Sequence, residues 1–186
     1  MQYLTDDILW DSFRQGNKDA LALLFERHYA TLYRYGHKIH ADREAINDLV
    51  QDLFVEIWQQ QSPKPVLSIK GYLLQSLRYK IIHLVKRQKS TISINKEDTE
   101  FTVSAEDFLI IKETDALKNS QIANAIQLLS PRQREIIYLR FYVNLSYKEI
   151  CGILSVEYQI ARNHLYAGLK KLKSILQSEL KLPYLD

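Results

Sequence analysis

The sequence predicts an all-α protein made of two small helical domains, an N-terminal helical bundle and a C-terminal helix-turn-helix, joined by an acidic linker. Three observations carry that prediction. The 186 residues include only Gly 5 and Pro 4, where average usage would give roughly thirteen and nine, so few positions demand turn chemistry and long helices are favoured. Apolar residues recur every three or four positions over long stretches, which is the helical period. The charge is unevenly spread: twelve Lys/Arg against ten Asp/Glu in residues 1–88, four against seven in 89–127, and nine against five in 128–186. The total of +3 names no partner, but two mildly basic blocks flanking an acidic connector suggest domains at 1–89 and 128–186, with a linker at 90–127.

The start of the chain, Met1 to Asp7, lacks the basic opening and apolar run of a signal peptide. No stretch of eighteen residues is free of charge, so no membrane insertion is expected. The single cysteine, Cys151, has no partner for an internal disulfide and sits in no zinc-binding spacing. A reduced, cytoplasmic location fits these features.

The first helix is signalled by Leu21, Leu24, Phe25, His28/Tyr29, Leu32 and Tyr33, with Asn17 as N-cap. A second stripe follows at Ala45, Leu49, Val50, Leu53, Phe54, Ile57 and Trp58, and its opposite face carries Asp48, Gln51, Asp52, Glu56 and Gln59. That face is either a solvated side of a bundle helix or a contact surface for a basic partner. The third stretch, Lys70 to Lys89, holds five Lys/Arg and no acid from Arg78 onward, interleaved with Tyr72 and Tyr79. Cations follow phosphates and aromatic rings stack on unpaired bases, so this composition suits a melted-duplex surface as well as a solvated basic face.

The connector opens with Ser90 to Glu100, which has no helical period and reads as extended and solvated, with a partly helical second half. Beyond it, Ser130-Pro131-Arg132-Gln133 is a capping box with Pro at the first helical position. A second capping box, Ser146 to Glu149, opens a short helix with Ile150, Cys151, Ile153 and Leu154 as its apolar side. After a turn at Ser155-Val156 comes a longer helix, with Ile160, Ala161, Leu165, Leu169 and Leu172 inward and Arg162, Asn163, His164, Lys170, Lys171 and Lys173 outward. A short capped helix, a tight turn and a longer basic helix is the helix-turn-helix arrangement, whose second helix enters the major groove.

Asp48-Leu49-Val50-Gln51-Asp52-Leu53-Phe54-Val55-Glu56-Ile57-Trp58 resembles the D-L-V-Q-E-x-F-x-x-x-W segment of bacterial extracytoplasmic-function sigma factors. Leu129 to Glu135 is similar to the opening of their last domain, Leu145 to Cys151 to its L-S-Y-x-E-I-A helix, and Leu165 to Leu172 to its closing leucine-rich turn. The resemblance covers nearly the whole chain. It implies a transcription initiation factor with core RNA polymerase and promoter DNA as partners, together with an anti-sigma factor, membrane-bound or not. It assigns Asp48, Gln51, Asp52, Phe54 and Glu56 to core polymerase. The −10 element falls to Tyr72, Arg78, Tyr79, Lys80, His83, Lys86, Arg87 and Lys89, and the −35 element to Glu157, Tyr158, Gln159, Arg162, Asn163, His164 and Tyr166. The connector would run along the polymerase, where its negative charge mimics nucleic acid.

This sequence also departs from the family pattern. Tyr79, His83 and Lys86 replace the usual Asn, Asp and Arg of the −10 segment, Ser155 the turn Gly, Glu157 the cap Ser, and Ile160-Ala161 the Thr-Val pair, so promoter preference is not carried over. An enzyme is not expected: His37 with His40, or Asp48 with Asp52, give one helical turn's spacing but no Glu-x-x-His motif, and there is no phosphate-binding loop. No catalytic residue, metal or cofactor is assigned, and Cys151 is expected to be a buried small side chain. The rival is a polymerase-independent two-domain helix-turn-helix regulator, which needs neither the Asp48 to Trp58 segment nor the basic aromatic helix.

Overall fold

The computed structural model describes residues 4–60, 65–88, 100–103, 122 and 124–180. Every regular element among them is helical, and none of the described helices is long and apolar enough to cross a membrane. The chain forms two compact units, one built mainly on residues 1–93 and one mainly on residues 94–186.

The first unit has four helices: α1 (Asp6–Arg14), α2 (Lys18–Ile39), α3 (Arg43–Gln59) and α4 (Ile69–Gln88). Helix α1 was not read from the sequence. Thr5 caps it, and Leu9, Trp10 and Phe13 are its buried residues. It ends at Gly16, whose φ of 96° only glycine adopts freely. There Gly16 N–H donates to Phe13 O at 2.8 Å and Asn17 N–H to Ser12 O at 3.1 Å, the paired bonds of a Schellman stop. Asn17 then caps α2 by accepting from the amides of Asp19 and Ala20, and Asp42 caps α3 through Glu44 and Ala45. Ser68 does the same for α4 through Gly71.

Helices α2, α3 and α4 pack on one another, and α1 lies against α2 and α4. They converge at Gly36, where a Cβ would sit 2.8 Å from Ile46 Cγ2 and 3.3 Å from Ile81 Cδ1. Leu73, Leu74, Leu77 and Ile81 of α4 are fully buried, each worth about 1.5–3 kcal/mol relative to exposure.

In the second unit, the predicted capping box is present: Gln133 N–H donates to Ser130 Oγ, and Ser130 N–H to Gln133 Oε1. Helix α5 (Pro131–Ile137) widens into a π-helical turn, Tyr138–Tyr142, closed by Val143 N–H to Tyr138 O at 3.1 Å. The turn ends at Asn144, which has a positive φ of 59°. The second capping box also forms, between Ser146 and Glu149, and opens α6 (Tyr147–Leu154). Ser155, at φ 53°, makes a second Schellman stop with Val156 N–H to Cys151 O and Ser155 N–H to Gly152 O. Helix α7 (Tyr158–Leu180) follows.

Four sequence expectations change here. Ile160 and Leu169 are exposed, at 42% and 40%, because the inward line of α7 runs through Ala161, Leu165 and Gly168, and the two flank it. Gly168 allows α7 to approach α5, with Ile137 Cδ1 3.1 Å from a hypothetical Cβ. Cys151 is half-buried rather than buried. Phe101, Val103, Ala125 and Ile126, within the segment read as linker, are buried, and residues 122 and 124–127 are helical or continue a helix. The Ser90 to Thr99 opening of the linker lies outside the described residues.

Candidate functional site

Three helix faces carry the residues singled out in the sequence. On α3, Asp48, Gln51, Asp52, Glu56 and Gln59 are exposed, opposite the buried Ile46, Val50, Leu53 and Ile57. Helical spacing explains the division: positions 48, 52, 56 and 59 form one stripe. Phe54 does not belong to that stripe. It is 6% exposed and meets the Phe25 ring edge-on at 5.1 Å, so it supports the face from inside the bundle. Sequence reasoning missed Val55, which stands 52% exposed among the acids. Trp58, at the end of the helix, has Phe13 at 6.0 Å and the Lys18 ammonium 4.9 Å from its ring, a cation–π contact.

On α4, Tyr79, His83, Lys86 and Arg87 are exposed along one side. Tyr79 is 65% exposed, and its ring centroid lies 4.3 Å from that of His83. The two rings are tilted by 54° to each other and form an exposed aromatic platform followed by two cations, a surface able to stack on a base and hold the adjacent phosphates. Arg78 is removed from the predicted set. It is 3% exposed, because position 78 falls one turn after Leu74 on the buried arc. Tyr72 is half-buried, edge-on to Trp10 at 5.7 Å. Lys80 is paired with Glu56, and Lys89 lies outside the described residues.

Glu157, just before α7, and Tyr158, Gln159, Arg162, Asn163 and Tyr166 on it are exposed, and His164 is half-buried. Tyr166 is 70% exposed and Tyr158 55%. Gln159 Nε2 donates to Asn163 Oδ1 at 3.1 Å, fixing two amides side by side. Asn, Gln and Arg are the side chains that pair bidentately with adenine or guanine edges. Arg140 lies 5.4 Å from the Tyr147 ring and Tyr147 5.4 Å from Tyr158, so the first residues of α6 and α7 are joined by a cation–aromatic chain. Lys171 Nζ donates to Leu128 O at 2.6 Å, which uses one of the three outward lysines within the unit.

Of the groups weighed for catalysis, the two histidines are engaged otherwise. His37 Nδ1 lies 3.3 Å from His40 O, and His40 Nδ1 accepts from Asp42 N–H at 3.3 Å. Among the described residues no group of three His, Cys, Asp or Glu side chains is placed to hold a metal. Burial pushes the Cys151 thiol above its ordinary value, which keeps it protonated and a poor nucleophile. His28 is buried with Nε2 2.7 Å from Asp6 Oδ2.

Family comparisons match both units. The model described as sigma-70 region 2 matches residues 24–91, and the one described as sigma-70 region 4 matches residues 119–172. The first range spans α2 to α4 and the second includes α5 to the middle of α7.

The chain belongs to the sigma-70 family, whose regions 2 and 4 it carries in order.

Among curated relatives, this sigma factor is 28% identical over 171 residues to the RNA polymerase sigma factor SigZ of Bacillus subtilis, covering 91% of this chain and 85% of that one. It is 21% identical over 175 residues to the ECF RNA polymerase sigma factor SigK of a Mycobacterium species, covering 91% and 90%. Among solved structures, its fold is similar to CnrH in complex with the cytosolic domain of CnrY, at a TM-score of 0.60, 20% identity and 94% and 98% coverage. It is also similar to the sigma factor RpoE of Bartonella quintana in complex with the anti-sigma factor NepR, at 0.58, 19%, 88% and 99%. The protein is an alternative sigma factor for transcription initiation, a non-enzymatic role. Sigma factors bind core RNA polymerase and promoter DNA.

Proposed function

We propose that this sigma factor divides its work among the three faces. The acidic stripe of α3, Asp48, Gln51, Asp52 and Glu56, with Val55 at its centre, docks on core polymerase. Tyr79 and His83 of α4 receive bases of the melted −10 element while Lys86 and Arg87 hold its backbone. The N-terminal half of α7, through Tyr158, Gln159, Arg162, Asn163 and Tyr166, reads the −35 element in the major groove. The observation that supports this most is the Tyr79–His83 platform, since a 65% exposed aromatic ring beside a second ring and two cations has no role in the packing of the bundle.

The first promoter-binding domain ends with α4, and the second begins before the Ser130 cap, since Ala125 and Ile126 are already buried. Neither domain is strongly basic, so free protein binds promoter DNA weakly and becomes specific on the polymerase. An anti-sigma factor is a further partner. Similar folds are held by such proteins in solved complexes, as RpoE is by NepR.

Two substitutions at exposed positions test the division. Asp52→Lys removes binding to core polymerase and leaves the −35 interaction of the chain intact. Arg162→Glu removes −35 recognition and leaves polymerase binding intact. Loss of both activities in both variants would show the division to be wrong, and an equal loss of affinity for all sequences in a milder Arg162→Ala variant would reduce Arg162 to a phosphate contact.

A further inference from the structure

The connector contributes residues to the second unit. From Glu100 to Val103 the chain forms no helix or strand, with Phe101 and Val103 buried at 1% and 2% exposure while Glu100 and Thr102 face solvent. That alternation is the period of an extended segment with one covered side. The Phe101 ring lies 5.5 Å from Tyr138, which stacks on Tyr142 at 4.7 Å. The Val103 carbonyl accepts a hydrogen bond from Gln127 Nε2, and Gln127 Oε1 accepts from Arg134 Nη1 at 2.7 Å. Burial lowers the Arg134 guanidinium, and the charge of Glu100 acts against that shift. Apolar and hydrogen-bonded contacts thus clasp Phe101 and Val103 onto the π-helical turn and Gln127.

We propose that this clasp sets the reach of the connector, which makes Phe101 a positioning residue for the spacing between the two promoter elements. The inference rests on the reading that the two units bind two elements. With Glu100 to Val103 held, residues 89–99 alone run from α4 to the clasp. A chain extends at most about 3.6 Å per residue, so Gln88 and Glu100 cannot be more than about 43 Å apart. With the clasp open, the chain from residue 89 to residue 121 would reach on the order of 120 Å. Both bounds hold for every arrangement of the units. Each base pair added between the elements moves them about 3.4 Å further apart and turns one about the axis by roughly 35°. A short tether resists that displacement and a long one follows it.

The test is run-off transcription by core polymerase and the full chain on promoters identical except for spacer length, stepped in single base pairs to either side of the optimum. The unaltered chain is expected to give a narrow profile. Phe101→Ala is expected to broaden it toward longer spacers. Because Phe101→Ala also removes a buried ring, a second variant keeps the clasp and inserts six Gly/Ser residues after Lys96; the same broadening is expected. A profile unchanged in width and optimum in the insertion variant overturns the inference, even if Phe101→Ala lowers transcription uniformly at every spacer. Absence of transcripts with the unaltered chain on all templates would instead overturn the promoter-binding reading and this inference with it.

Discussion

Lys80 of α4 forms an ion pair with Glu56 of α3, so the face assigned to polymerase and the helix assigned to the −10 element are joined by one bond. The Lys80 side chain is 17% exposed and that of Glu56 54%. Such partly solvated pairs contribute about 0.2–1 kcal/mol. Lys80→Ala should therefore lower the denaturation free energy of the chain by no more than that. It should weaken open-complex formation less than Lys86→Ala or Arg87→Ala, whose cations face solvent. Urea denaturation and permanganate footprinting of the −10 region measure the two effects.

Ser155 occupies the left-handed backbone position that the Schellman stop between α6 and α7 requires. Non-glycine residues are strained there and Gly is not. Ser155→Gly should stabilise the second unit by about 1 kcal/mol, a rise of roughly 4–8 °C in the melting of a domain this size, while −35 binding stays unchanged. A fall in melting temperature would contradict the assignment of strain at this turn.

Two helix glycines should respond in opposite senses. Gly36→Ala places a Cβ 2.8 Å from Ile46 Cγ2 at the meeting of α2, α3 and α4, and overpacking of this kind costs about 1–3 kcal/mol. Gly152→Ala meets nothing within 4 Å and should gain up to about 1 kcal/mol of helix propensity in α6. Calorimetry of the two variants decides between these signs.

The anchor of α1 should make the first unit sensitive to mild acid. Burial holds His28 below its ordinary 6.5, against the opposing pull of Asp6 and with the added repulsion of Lys70 of α4 and Arg27 of α2. The unfolded chain therefore takes up a proton that the folded one refuses, and stability falls as pH drops below about 6.5. For Asp6, burial acts to raise the carboxyl, but the Arg27 hydrogen bond and the attraction and hydrogen bond of His28 outweigh it and hold it below 3.8. A second loss then follows below that pH. In His28→Gln the thermal stability should be nearly flat from pH 7 to 5, and the loss below 3.8 should shrink, because two of the contacts that hold Asp6 down are His28's. An unaltered slope in the variant would move the effect elsewhere.

Much of this architecture was legible because caps and apolar periods are local signals. Asn17, Ser130 and Ser146 cap the helices they were expected to cap, and the exposed acids of α3 follow from spacing alone. The misreadings arose where tertiary packing chose between neighbouring positions. Phe54 and Arg78 were placed on functional faces by the family resemblance, although spacing already put Phe54 in the apolar stripe, and both lie on the buried arc. Ile160 and Leu169 were placed inward by apolarity, but Gly168 draws α5 close to a line that excludes them. Helix α1 escaped notice because its apolar residues fill fewer than three turns. Phe101 and Val103 were hidden in an acidic segment, where only their alternation with Glu100 and Thr102 hinted at a covered side.

The most direct test of the central claim is run-off transcription from a pool of genomic fragments by purified core RNA polymerase, with and without this protein. Discrete transcripts that appear only with the protein are the predicted result, and their start sites would define its promoter elements. No protein-dependent transcripts, together with sequence-specific binding of the free chain to DNA, would contradict the assignment of α3 to polymerase and α4 to the melted strand, and leave a polymerase-independent regulator in its place.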